Sequence, residues 1–194
     1  MSVLTIYDAA DASTDPGTDP GTEASYRDVE AIAARLADIG VLFERWQADR
    51  ELAPAASNEE VIDAYRGPIE RLMRDYGFQS VDVVALHPEH PDRAALREKF
   101  LDEHTHGDFE VRFFVDGRGL FYIHHADKVY AVLCERGDLI SVPADTTHWF
   151  DMGQRPSFKA IRLFTTPDGW VASFTGRDTA RRFPDFDRFV AEHG

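Results

Sequence analysis

Apolar residues along the first half of the chain recur at two spacings, and the spacing separates the elements. Residues 3–7 are a short β-branched run that reads as a strand. Val29, Ile32, Ala33 and Leu36 repeat at helical spacing. Ser25 is the expected N-cap of that helix, with Asp28 near its positive end, and Gly40 stops it. Residues 41–46 read as a strand. Ser57 and Glu60 form a capping box ahead of Val61 and Tyr65. Pro68 lacks an N–H and must break or restart that helix. Ile69, Leu72, Met73 and Tyr76 carry the stripe on to Gly77, and residues 81–86 are strand-like until Pro88 and Pro91 end them.

From Lys99 the texture changes. Short β-rich runs alternate with turns over residues 110–115, 120–124, 128–133, 139–142, 148–152 and 158–164. The turn Asp116-Gly117-Arg118-Gly119 separates the first two runs as expected of a hairpin. Many short strands at this spacing predict a β-sandwich or barrel. The fold class is therefore mainly β with α, with N-terminal helices packed on a barrel. One domain spans 1–194: a strand and helix part over 1–98, a barrel core over 99–175, and a tail over 176–194 packing on the barrel.

Composition narrows the partners. The 194 residues include 21 Lys+Arg against 35 Asp+Glu, a formal net charge of −14. No broad basic surface is available to neutralise phosphates, so neither nucleic acid nor an anionic membrane is an expected partner. Cys134 is the lone cysteine, which makes no internal disulfide and reads as a small buried hydrophobe. With no basic n-region at the start and no long apolar run, the expected location is the cytoplasm. Asp15-Pro16-Gly17-Thr18 repeats at once as Asp19-Pro20-Gly21-Thr22; it reads as a solvated acidic loop rather than a lid. Nothing demands an oligomer, and a monomer is expected.

The chemistry gathers in one stretch. His104-Thr105-His106 puts two imidazoles two residues apart, on one face of a strand. Glu110 follows at the start of the next run, and His148 lies in a distant run that a barrel can bring to the same point. Imidazole plus carboxylate suits Fe, Ni, Mn, Zn or Cu, and no cysteine ligand set for structural zinc is present. Arg112, two residues after Glu110, falls on the ligand face.

The spacing His104-x-His106-x3-Glu110-x6-Gly117 resembles the first cupin motif, and Gly137-x5-Pro143-x-Asp145-x2-His148 the second. Glu98, Asp145 and Met152 depart from those motifs at turn positions rather than at ligands. A narrower resemblance is to the acireductone dioxygenase family. It is carried by Lys99-Phe100-Leu101-Asp102-Glu103-His104-Thr105-His106 through Gly117, by Gly137-Asp138-Leu139-Ile140-Ser141-Val142-Pro143-Ala144, by Lys159-Ala160-Ile161-Arg162-Leu163-Phe164 and by Gly169-Trp170-Val171. That resemblance implies one Fe(2+) or Ni(2+) per chain, held by His104, His106, Glu110 and His148, with two positions left for a bidentate enediol. It implies oxidative cleavage of 1,2-dihydroxy-3-keto-5-methylthiopentene by O2, in methionine salvage. Iron gives formate and 4-methylthio-2-oxobutanoate; nickel gives formate, CO and 3-methylthiopropanoate. Arg112 would help generate the substrate dianion. Glu103 would take part in metal loading or remain a solvated acid, and Phe109 would relay conformational change or simply pack. Arg162 is either a second substrate contact or half of a surface ion pair. Phe114, Phe150 and Trp170 either line a pocket for the methylthio tail or belong to the core. The alternatives are another cupin dioxygenase or isomerase, or a non-catalytic cupin that binds a small molecule.

Overall fold

The computed structural model describes residues 1–9, 20–50, 52–53, 56–166 and 171–193. Most of the Asp-Pro-Gly-Thr repeat and Trp170 lie outside these residues. The elements follow the apolar pattern closely. β1 (Val3–Asp8) pairs with β2 (Thr22–Tyr26), then come α1 (Val29–Ala37) and β3 (Leu42–Arg45). Ser25, expected as the cap of α1, lies instead in β2 opposite Thr5. The cap is Asp28, whose backbone is extended and whose carboxylate accepts from Ala31 N–H at 2.9 Å. α2 (Asn58–Ala64) starts with the Ser57–Glu60 capping box, and α3 (Arg66–Tyr76) restarts after Tyr65, with Pro68 in its first turn. Gly77 ends α3 at φ 75°, a left-handed cap.

β4 (Ser80–Leu86) precedes α4 (Arg93–Leu101), a helix that the pattern does not announce. The reason is physical: no residue of α4 is fully buried, so the apolar stripe that betrays an amphipathic helix is missing. β5 (His104–Thr105), β6 (Glu110–His125), β7 (Lys128–Glu135), β8 (Asp138–Val142), β9 (Thr147–Asp151), β10 (Phe158–Phe164) and β11 (Ser173–Phe174) complete the strands. A short 3-10 turn (Thr179–Arg182) and α5 (Phe186–His193) follow.

The predicted hairpin at 116–119 is not there. β6 is one 16-residue strand that bends at Gly117 and passes from one sheet into the other. Before the bend it pairs with β8 and β10; after it, with β7 and β9. Gly117 has φ 67°, and a Cβ there would sit 1.9 Å from the Ser157 carbonyl oxygen. The glycine is therefore needed for close approach of β10's leading loop, and it bends the strand rather than reversing it.

All pairings are antiparallel. One sheet runs β11-β5-β9-β6-β7-β1-β2; the other runs β3-β8-β6-β10-β4. The faces that meet bury a core with Phe114, Phe121, Ile140, Phe150 and Met152, closed at one side by Ile32 and Leu36 of α1. Outside the first sheet, Phe186 and Phe189 of α5 pack on Tyr122 and Trp149. Outside the second, Val61, Ile69 and Leu72 of α2 and α3 pack on Val111, Phe113 and Leu139. This is the expected mainly-β fold of jelly-roll type with N-terminal helices against it. Among the described residues, no helix is long and apolar enough to cross a membrane.

Candidate metal centre

Three strands deliver the donors. His104 in β5 and His148 in β9 are direct cross-strand partners, and their ring centroids lie 4.6 Å apart. His106 leaves the end of β5 and brings its ring within 4.8 Å of His148's. Glu110 opens β6, on the sheet's inner face. All four side chains are buried, and their donor atoms lie within 4.8 Å of one another.

The backbone decides which nitrogen each ring presents. Nδ1 of His104 lies 2.7 Å from the Asp102 carbonyl oxygen, Nδ1 of His106 2.7 Å from that of Asp108, and Nδ1 of His148 2.8 Å from that of Thr146. A carbonyl can only accept, so each Nδ1 carries a proton, and in the neutral ring it is Nε2 that is left to offer a lone pair to a metal. Nε2 of His106 and of His148 point at Glu110 Oε2, at 2.9 and 3.1 Å. This is the donor set and the ring orientation that a hard-to-borderline divalent ion requires, so the residues fit such an ion.

Electrostatics couple the four donors to one another and to Arg112. Burial pushes the Glu110 carboxyl up, but the Arg112 guanidinium and the bonds from His106 and His148 overcome it and hold it well below the usual carboxylate range. Burial lowers His104, aided by His148 beside it, against an opposing pull from the Asp102 carbonyl. For His106 burial also pulls down, yet the bond and charge of Glu110 win and raise it. Arg112 lies 2.8 Å from Glu110 Oε1 and is 2% exposed. Its guanidinium is stacked over Phe150 at 4.2 Å, with Phe121 at 5.2 Å and Phe100 at 5.6 Å. Arg112 thus sits behind the carboxylate, one layer below the cavity.

That cavity, about 710 Å³, opens in front of His104, His106 and Glu110. Lys99 and Phe100 of α4 form one wall; Val171, Ala172 and Phe174 form another. Arg162 and Phe164 of β10 complete it, and Arg162 is gripped by Asp82 through two bonds of 2.8 and 2.5 Å. Arg162 is therefore both a cavity residue and half of an ion pair. Phe114 and Phe150 do not line the cavity: both are buried in the core, Phe114 against Phe158 and Phe150 under Arg112. Phe109, 44% exposed, turns away into a separate groove with Leu72, Tyr76 and Phe78. Glu103 is no solvated acid. It is buried and bonded to His124 at 2.8 Å and Thr175 at 2.7 Å.

The turn before His148 shows how a departure from the cupin motif is absorbed. Asp145 has φ 60°, the backbone a glycine would adopt, and its N–H bonds the His106 carbonyl at 2.9 Å. Aspartate is among the few residues that visit this region readily. The glycine conformation is kept without the glycine.

Sequence reasoning missed Phe100, Val171 and Phe174 as wall residues. Phe100 lies on the unannounced α4, and Phe174 reaches the site through the long-range pairing Phe174↔His104. Asp82 is legible only once the register Arg162↔Asp82 is known.

Known proteins are similar to this chain. The model of the ARD/ARD' family matches residues 13–172. The chain belongs to the ARD/ARD' family. An acireductone dioxygenase of Methylococcus capsulatus is 54% identical over 193 residues, covering all of both chains. That of Pseudomonas paraeruginosa is 63% identical over 155 residues, 80% of this chain and 86% of its own. Among solved structures, an acireductone dioxygenase from Bacillus anthracis, with a cadmium ion in its active centre, is similar at a TM-score of 0.75. It is 27% identical and covers 90% of this chain and 98% of that one. For an ARD/ARD' member, the buried cluster of three histidines and one glutamate is the place where a metal would be sought.

Proposed function

We propose that this chain is a metal-dependent acireductone dioxygenase. It cleaves 1,2-dihydroxy-3-keto-5-methylthiopentene with O2, giving formate and 4-methylthio-2-oxobutanoate with Fe(II), or formate, CO and 3-methylthiopropanoate with Ni(II). The observation that carries this reading is the convergence of three Nδ1-locked imidazoles and one carboxylate at the floor of an open cavity. Family membership and the full-length relatives support it.

His104, His106, Glu110 and His148 would hold the ion. Such an ion would supply the positive charge and Lewis acidity that favour an enediolate and its reaction with O2. The remaining work belongs to the chain. Arg112 holds Glu110 ionised and adds a fixed positive charge beneath the site, which favours the dianionic form of the substrate. Asp82 pins the Arg162 guanidinium at the cavity wall, where it meets an anionic substrate in one orientation. Phe100, Phe164 and Phe174 give the methylthio end an apolar wall and keep water from it.

The test is aerobic turnover of synthetic acireductone by metal-free protein reloaded separately with Fe(II) and Ni(II), with keto acid and CO both quantified. Keto acid with iron and CO with nickel are expected. No consumption with either, in protein holding one metal per chain, overturns the assignment.

A further inference from the structure

A second buried carboxylate stands beside the metal donors, turned away from them. Glu103 is 1% exposed. Its two carboxylate oxygens are taken by different parts of the chain: Oε1 by His124 Nδ1 at 2.8 Å, Oε2 by the Thr175 hydroxyl at 2.7 Å. Its backbone carbonyl accepts the Thr175 N–H at 3.0 Å. Thr175 therefore grips one residue twice, once through the main chain and once through the side chain.

What Thr175 anchors is the least secure part of the cavity. β11 is two residues long and, among the described residues, pairs with β5 alone, Ser173 opposite Thr105 and Phe174 opposite His104. A strand this short, on a sheet edge, does not hold itself. The strand itself is exposed, Phe174 at 54%, as is Val171 ahead of it at 74%. Yet Val171, Ala172 and Phe174 form one wall of the cavity, and the Phe174 ring lies 5.8 Å from that of His104. Little apolar burial pins this strap, so the polar grip at Glu103 must.

We propose that Glu103 and Thr175 are positioning residues for substrate binding: their clasp holds the strap 171–176 across the cavity, so that Val171 and Phe174 cover the apolar end of the substrate. The inference rests on reading the cavity as the acireductone site. Glu103 touches neither substrate nor ion in this role; it acts through Thr175. His124 occupies the other oxygen and keeps the carboxylate turned toward the strap.

The decisive variants are Thr175→Val, which keeps the shape and loses the hydroxyl, and Thr175→Ser, which keeps the hydroxyl. In nickel-loaded Thr175→Val the KM for acireductone should rise about tenfold, the loss expected for one hydrogen bond to a charged group, with kcat and metal per chain close to those of the parent. Thr175→Ser should restore the KM. Hydrogen exchange at the Phe174 and Thr175 amides should quicken in Thr175→Val and return in Thr175→Ser, a readout that needs no substrate. Unchanged KM together with unchanged exchange overturns the clasp. A fall in metal content at unchanged KM also overturns it and returns Glu103 to metal loading. Should the parent protein consume no acireductone at all, the assignment of substrate fails and the exchange experiment alone decides the clasp.

Discussion

The two halves of β6 share a strand and little else. Before Gly117, Glu110 and Arg112 are buried side by side on the inner face, while Val111 and Phe113 back onto the helices. After it, Leu120 and Tyr122 pack against the C-terminal helix and Phe121 and Ile123 fill the core. The first half buries charge; the second buries hydrocarbon. Burying a carboxylate and a guanidinium is costly even when they are paired, and apolar residues of the same size would often be more stable. The surrounding hydrophobic layers offset that cost, so the second half makes the first tolerable.

Changes in the first half should therefore remove function, and changes in the second should remove stability. Glu110→Ala should abolish turnover and lower bound metal at least tenfold. It should also cost about 3–5 kcal/mol, because Arg112 is left buried and uncompensated; metal analysis and a urea melt check both. The pH dependence of the metal-free chain sharpens this. Because the folded Glu110 carboxyl lies below its ordinary value of 4.5, its stabilising contribution is complete above that pH and is lost as the pH falls toward the depressed value. The stability gap between the parent and Glu110→Gln should shrink below about pH 4.5 and, because Glu110 raises His106, shrink again as the pH climbs above the ordinary histidine value of 6.5. An unchanged gap on acidification breaks the account of Glu110.

Arg112→Met should retain metal and lose turnover by about 100-fold, as removal of one preorganised charge does elsewhere; parental kcat would leave Arg112 purely structural. Leu120→Ala, farther along the same strand, should cost about 2–5 kcal/mol in a urea melt while kcat per metal-bound chain is kept. If it lost metal instead, the two halves would be coupled. The smallest effect on function belongs to the joint between them. Gly117→Ala meets the Ser157 carbonyl at 1.9 Å on a left-handed backbone. It should cost more than the backbone strain alone, about 1–3 kcal/mol, with the metal site intact.

His104, His106 and Glu110 were legible as candidate donors because they are local, whereas His148, 38 residues beyond Glu110, joined them through the family resemblance. A two-residue period places His104 and His106 together and Arg112 with Glu110, whatever the rest of the chain does. The same period fails for Phe114. It does face inward with Arg112, but alternation gives the face and not the depth, and the strand has by then run past the cavity into the core. Glu103 does point away from the ligands, as alternation requires, yet that direction leads to His124 and Thr175 rather than to solvent. Phe174 was beyond reach, since its partner strand is about 70 residues earlier and two residues of strand leave no periodic mark. The hairpin at Gly117 failed because a glycine turn signature cannot distinguish reversal from a bend forced by a neighbouring loop.

Each imidazole of the cluster takes its orientation from a carbonyl two residues away in its own segment: Asp102, Asp108 and Thr146. The ion is thus not the organiser of its own cradle. Removing it by chelation should leave the rings in place, and adding another should need no refolding and little loss of side-chain entropy. A chain built this way behaves as an interchangeable socket. One purified batch, stripped and reloaded with different divalent ions in turn, should then hold each at one per chain with its fold unchanged.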